Sequence, residues 1–210
     1  MDISIQVSEP RQSADQLAIK AIRALGGTIR TSQAVREGIH PRTLYHLRDT
    51  GQIEPISRGV FRLSTLPPPS LPDLLVVASR LPKAVLCLIS ALSFHELTEE
   101  IPHRVHIALP RDTEQPRLDH PPLHVVRMSQ PCFVAGVELH DIDGLKLRVF
   151  SPAKTIVDCF KFRNLIGVDV AIAGLRALRS RREFNVEELL SLARICRVER
   201  IMRPYVEAIL

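Results

Sequence analysis

Arg42, Thr43, Tyr45 and His46 lie side by side in the stretch PRTLYHLRD. Each carries a hydrogen-bonding group on a side chain that can reach a base edge or a phosphate. Arg adds a planar fork that matches phosphate or guanine bidentately, which Lys does not offer. On a helix, Leu44 and Leu47 share one face by their spacing of three, so they turn inward and leave the polar set outward. Arg58 follows in SRG, a turn signal between the extended runs QIEPI and VFRLS. This is the chemistry of groove reading: a helix fits the major groove, and an Arg on a hairpin tip suits a narrow minor groove. Arg30, Arg36, Arg48 and Arg62 are the expected phosphate contacts.

A second basic set lies in LRALRSRREF. Arg176, Arg179 and Arg182 are three apart and are expected on one helix face, with Arg181 at its end, where positive charge also complements the helix dipole. Arg194, Arg197, Arg200 and Arg203 repeat the step. The set reads either as a solvated face or as a polyanion surface.

No catalytic residue, metal or cofactor is expected. The chain has no G-x-x-x-x-G-K-[ST], G-x-G-x-x-G or G-x-S-x-G. His95-Glu96 begins like a zinc-protease motif, but Glu99 stands where the second His would be needed. His103, His106, His120, His124 and His140 are dotted over strand-like runs and read as scattered imidazoles. Asp112, Glu114 and Asp119 fall in a Pro-rich loop, poor scaffolding for a nuclease metal. Asp158 lies in SPAKTIVDCFKF and is expected to partner a nearby Arg or a buried amide, with Ile156, Val157, Phe160 and Cys159 as the buried side of an amphipathic helix. Cys87, Cys132, Cys159 and Cys196 show no C-x-x-C spacing and read as buried free thiols of a reducing compartment.

The elements that must carry these residues follow from caps and periodicity. The 210 residues are 45% hydrophobic but only 4% aromatic, with no Trp, so the core is aliphatic. The net charge of +5 permits a polyanionic partner without requiring one. Residues 1–12 read as a tail without signal-peptide character, and no run is long and apolar enough to span a bilayer, so a cytoplasmic location is expected. A helix is expected from Ser13, with Leu17, Ala18, Ala21, Ile22 and Leu25 on its stripe and Gly26-Gly27 at its end. A short helix capped by Thr31 or Ser32 follows, then a third opened by Pro41 and stopped by Gly51. Pro55 marks its strand as an edge. TLPPPSLPD reads as a semi-rigid linker. Beyond it come two helices, then four strand-like runs, the last two joined at Asp143-Gly144. Helices close the chain, the final one interrupted or kinked at Pro204. Strands grouped between helices indicate α+β. The expected architecture is a winged helix-turn-helix domain over 1–66, a linker over 67–72, and an α+β domain over 73–210 with a small, mainly antiparallel sheet and a terminal helical bundle.

The run TSQAVREGIHPRTLYHLRDTGQIEPISRGVFRLS resembles the N-terminal domain of AbiEi-type antitoxins. LISALSFHELTEEIPHRVHIALPRD and LRVFSPAKTIVDCFKF resemble the C-terminal domain of the same family, in matching order. The resemblance implies a DNA-binding antitoxin of a type IV toxin–antitoxin system, used in abortive infection against phage. It implies repression of its own operon through upstream repeats, and a nucleotidyltransferase-like toxin countered without a stable complex. The paired acids of such a toxin are missing here. Arg176, Arg179, Arg181 and Arg182 would then be a second polyanion or toxin-facing surface. No heptad seam is visible, so a monomer on each repeat is expected rather than a dimer. The competing readings are a winged-helix regulator whose C-terminal domain senses a ligand or oligomerises, and a DNA-delivered nuclease.

Overall fold

The computed structural model describes residues 13–182 and 184–209, so the expected tail over residues 1–12 lies outside the described residues. The chain divides into two compact units, Met1–Ser70 and Leu71–Leu210.

In the first unit, helix α1 (Ala14–Ala24) opens on a capping box. Ser13 Oγ accepts from the Gln16 amide at 3.2 Å, and Gln16 Oε1 accepts from the Ser13 amide at 3.1 Å. Ala18 and Ile22 are its buried positions, whereas Leu17, expected on the same stripe, is 52% exposed. Gly26 and Gly27 end the helix with positive φ, a conformation glycine adopts without a Cβ penalty. A short strand, β1 (Thr28–Arg30), follows; its three residues are too few to display an alternation in the sequence. Helix α2 (Thr31–Arg36) already includes the residues expected to cap it. Arg30 occupies the N-cap position without a side-chain bond, and Thr31 Oγ1 instead donates to the Gly59 carbonyl at 3.3 Å. Helix α3 (Pro41–Asp49) is capped by His40, whose Nδ1 accepts from the Arg42 amide at 3.1 Å, and has Pro41 in its first turn.

Strands β2 (Ile53–Ser57) and β3 (Val60–Leu63) form a hairpin. With β1 they make an antiparallel sheet of order β1-β3-β2, so β2, which holds Pro55, is an edge strand as expected. Ile22, Ile29, Leu44, Leu47, Ile53 and Leu63 pack at the centre of the core.

The second unit runs α4 (Pro72–Arg80), β4 (Val85–Leu86), α5 (Leu88–Phe94), β5 (Val105–Pro110), β6 (Leu123–Met128), α6 (Gln130–Val134), β7 (Val137–Ile142), β8 (Leu145–Phe150), α7 (Pro152–Lys161), α8 (Arg163–Ile166), α9 (Val168–Arg179), α10 (Val186–Ile195) and α11 (Glu199–Ile209). The α+β class holds, but the sheet is mixed rather than mainly antiparallel. In the order β6-β5-β4-β8-β7, the β5/β6 and β4/β8 ladders are parallel and the β4/β5 and β7/β8 ladders antiparallel. The loop over residues 111–122 makes the parallel β5-to-β6 crossover, a connection that needs about a dozen residues. Strand β4 links the two halves of the sheet through two residues, Val85 and Leu86, which adjoin helix-like sequence and escape a periodicity reading.

Helix α7 is buried on every side from Ala153 to Phe160, so it is a central helix and not the amphipathic one expected. Helices α5, α9, α10 and α11 and the end of β8 surround it. Helix α11 continues through Pro204 without interruption. The lost amide bond is offset by the burial of Met202 and Val206 on the opposite face.

Candidate nucleic-acid interface

Helix α3 buries Leu44 at 1% and Leu47 at 0% exposure and turns its other residues outward. Arg42 is exposed, and its guanidinium has no partner among the described residues. Thr43 is half-buried beside it. The Tyr45 ring meets Phe61 edge-on, with centroids 6.4 Å apart, and the Arg48 guanidinium lies 5.0 Å over the Tyr45 ring. Arg48 is also held by Asp49 Oδ1, at 2.7 Å from Nη2 and 2.8 Å from Nε. His46 Nε2 lies 3.4 Å from Asp15 Oδ2 on α1. The five polar residues of this face thus divide. Arg42 is open, Tyr45 and Arg48 form a surface cluster with Asp49, and His46 leans on a carboxylate.

The β2–β3 turn is two residues long, Arg58 and Gly59, with Gly59 at φ +73°. Arg58 is exposed on it, without a side-chain partner among the described residues. Arg36 is exposed on α2, its Nε donating to the Ser32 carbonyl at 3.4 Å, and Arg30 is half-buried at the start of that helix. Arg62 departs from expectation. It is 2% exposed, donates to Glu54 Oε1 at 3.4 Å and to the Pro67 carbonyl, and so braces the sheet instead of facing a phosphate. On β3 it stands opposite Glu54 of β2, and the segment after β3 folds over it with the Pro67 carbonyl.

The basic residues of the second unit do not form the single faces expected of them. Arg176 and Arg179 are exposed on α9, but Arg182 lies past the end of that helix. Arg181 folds back to donate to the carbonyls of His95 and Glu96, closing the C-terminal end of α5. Arg194 is on α10, Arg197 in the turn that follows, and Arg200 and Arg203 on α11. Glu199 holds Arg194 at 3.2 Å and Arg203 at 2.6 Å.

The centre of this unit holds an ion pair that the spacing in KTIVD allowed but did not announce. Lys154 Nζ and Asp158 Oδ2 are 2.5 Å apart, and both side chains are 0% exposed. Burial raises the Asp158 carboxyl above its ordinary range, and the Lys154 ammonium pulls it back. The expected partner, an Arg or an amide, is a Lys one turn away.

His95, the start of the broken zinc motif, is fixed by a 2.7 Å contact from its Nε2 to the Phe150 carbonyl, and burial lowers its pKa. His106 and His124 are cross-strand partners on β5 and β6 with ring centroids 5.0 Å apart. Asp112, Glu114 and Asp119 are exposed on the β5–β6 loop. Among the described residues, no three His, Cys, Asp or Glu side chains are placed to hold a metal ion. The four cysteines are free and buried. The fold nonetheless brings Cys132 and Cys196 together beside Lys161, whose ammonium donates to Cys132 Sγ at 3.2 Å and to the Cys196 carbonyl at 3.2 Å. No described helix is long and apolar enough to cross a membrane.

A family model described as "Transcriptional regulator, AbiEi antitoxin" matches residues 16–64, so the resemblance read from the sequence holds across the helices and sheet of the first unit. No curated protein matches the chain. A solved structure, the crystal structure of the RV2827C protein from Mycobacterium tuberculosis, is similar at 15% identity and a TM-score of 0.46, covering 95% of this chain and 83% of that one.

Proposed function

We propose that the first unit is a winged helix-turn-helix module that binds duplex DNA, with α3 in the major groove and the Arg58 turn as the wing. The reading is carried by Arg42, exposed and unpartnered on the face of α3 opposite buried Leu44 and Leu47, within the segment that matches the antitoxin regulator model. Arg42, Thr43 and Tyr45 are the base-reading set, with His46 at its edge. Arg30, Arg36, Arg48 and Arg58 supply backbone contacts, and Arg48 exchanges Asp49 for a phosphate on binding. The chain represses its own operon as a cytoplasmic monomer on each upstream repeat. The second unit counters a nucleotidyltransferase-like toxin without a stable complex, Arg176, Arg179 and Arg182 forming the toxin-facing or second polyanion surface. Arg181 takes part only as the brace that shapes that surface. No catalytic step is assigned to the chain.

The test is fluorescence anisotropy on the duplex upstream of the gene and on a scrambled duplex, each at two salt concentrations. Specific recognition keeps its preference at the higher salt, whereas a general basic surface loses both together. Arg42→Ala is expected to cost about 1–3 kcal/mol and relax sequence preference, and Arg58→Ala to weaken binding to most sequences. Unchanged affinity in both variants overturns the DNA-reading assignment. Rescue of growth by the second unit's intact surface, lost in Arg176→Glu/Arg179→Glu, tests the antitoxin role separately.

A further inference from the structure

The second unit contains an open cavity of about 710 Å³. Four cations line it from four separate segments: Arg111 after β5, Lys161 at the end of α7, Arg163 on α8, and Arg197 in the α10–α11 turn. No Asp or Glu lines it. Elsewhere in the unit, several cations are matched with carboxylates, as in Lys146–Asp141, Lys154–Asp158 and Arg203–Glu199, and others, such as Arg148 and Arg181, bond to backbone carbonyls. Among the described residues, none of the four cavity cations forms an ion pair with a carboxylate, and only Lys161 feels one at longer range, that of Asp158. Lys161 donates to Cys132 Sγ and the Cys196 carbonyl, and Arg163 donates to the Phe160 carbonyl at 3.1 Å. Arg197, which lines the cavity, is held at φ +59°, a conformation a non-glycine residue rarely adopts.

Like charges brought together without counter-charges repel one another, and an anion in the cavity relieves that repulsion. The volume falls in the range of small-molecule sites, roughly 300–1,000 Å³. Three of the cations are guanidiniums, whose forks suit tetrahedral phosphate oxygens bidentately. A single carboxylate would satisfy only one of them. Pro131, Ile195, Val198 and Ile201 give the remaining wall an apolar character. That division calls for a ligand with one multiply charged end and one uncharged body. Cys132 lies in the same wall. Burial raises its thiol, but hydrogen bonds from Ser129, Lys161 and Cys196 outweigh burial and lower it below its ordinary value, as an electropositive site would.

We propose that this cavity binds a small phosphorylated molecule of nucleotide size, its phosphates on Arg111, Lys161, Arg163 and Arg197 and its body against the apolar wall. The site is independent of the DNA-reading face and gives the second unit a ligand-responsive element.

The experiment is thermal unfolding and isothermal titration calorimetry of the full chain with inorganic phosphate, pyrophosphate, ADP and ATP, at constant ionic strength and with chelator present. Pyrophosphate and the nucleotides are expected to bind saturably and to raise the midpoint of the second unit's transition. Inorganic phosphate, with fewer charges, binds more weakly. Arg111→Gln and Arg197→Gln replace exposed side chains, so both are expected to fold as the parent does. Each should weaken binding roughly tenfold or more. Arg58→Ala should leave it unchanged. Absence of saturable binding up to roughly 10 mM, affinity unaltered in both cavity variants, or affinity lost instead in Arg58→Ala would each overturn the assignment.

Discussion

Replacing Asp158 by Asn tests whether the second unit is built around a charge pair that water never reaches. An exposed ion pair would contribute about 0–1 kcal/mol because solvent and salt screen it. That discount does not apply to Lys154 and Asp158, which are both 0% exposed with Nζ and Oδ2 2.5 Å apart. Asp158→Asn keeps the shape and removes the counter-charge, leaving an ammonium in the interior. Breaking a buried pair in this way costs about 3–5 kcal/mol. The Phe150 ring lies 3.9 Å from Lys154 Nζ and continues to stabilise the cation, which places the expected loss toward the lower end, at about 3 kcal/mol. At roughly 2–4 °C per kcal/mol for a chain of this size, the midpoint should fall by about 6–12 °C. The chain has no Trp, so far-ultraviolet circular dichroism in urea and on heating is the suitable readout. The double variant Lys154→Met/Asp158→Leu removes both charges and should recover most of the loss, because a buried pair and an apolar pair of similar volume differ little in net stability. A loss below about 1 kcal/mol in Asp158→Asn would mean that the pair is hydrated. A double variant no more stable than the single one would mean that shape, and not charge, was lost.

Acid should weaken the second unit through His106 on β5. Burial, and after it the neighbouring His124, lower the His106 pKa from 6.5 to about 4. A depressed folded-state value means that the neutral ring is the native form. Its contribution is therefore complete above about 6.5 and disappears as the pH falls toward about 4. Urea midpoints between pH 7 and pH 4 should show this slope, and His106→Gln should flatten it; an equal slope in the variant would assign the loss to other groups. Gly136→Ala should also destabilise the second unit. Gly136 has φ +63°, and an added Cβ would sit 2.7 Å from Lys154 Cβ on the buried helix. Left-handed strain and overpacking together should cost about 2–5 kcal/mol by chemical denaturation, and a change under about 0.5 kcal/mol would show that the helix can shift aside.

What the sequence determined by itself was local. Ser13 with Gln16, Pro41, Gly51, the Arg58-Gly59 turn and Ser151-Pro152 each act on backbone groups within a few residues, so their helices and turns stand where their chemistry places them. The inward turn of Leu44 and Leu47, and with it the outward turn of Arg42, follows from helical spacing alone. Tertiary structure decided whatever depends on neighbours distant in the chain. The joining of the β5–β6 pair to the β7–β8 hairpin rests on the two-residue strand β4, which has no periodicity to read. Arg62 looks in sequence like exposed Arg58 a few residues before it, yet Glu54 across the sheet and the returning Pro67 carbonyl hold it buried. Lys154 and Asp158 show an ordinary surface spacing, and only the helices around α7 make the pair dry. Arg111, Lys161, Arg163 and Arg197 are scattered along the chain, and the folded chain alone brings their charges around one cavity. A hydrogen-bonded turn is closed by adjacent residues, whereas burial and charge convergence are properties of surfaces that exist only once remote segments have packed.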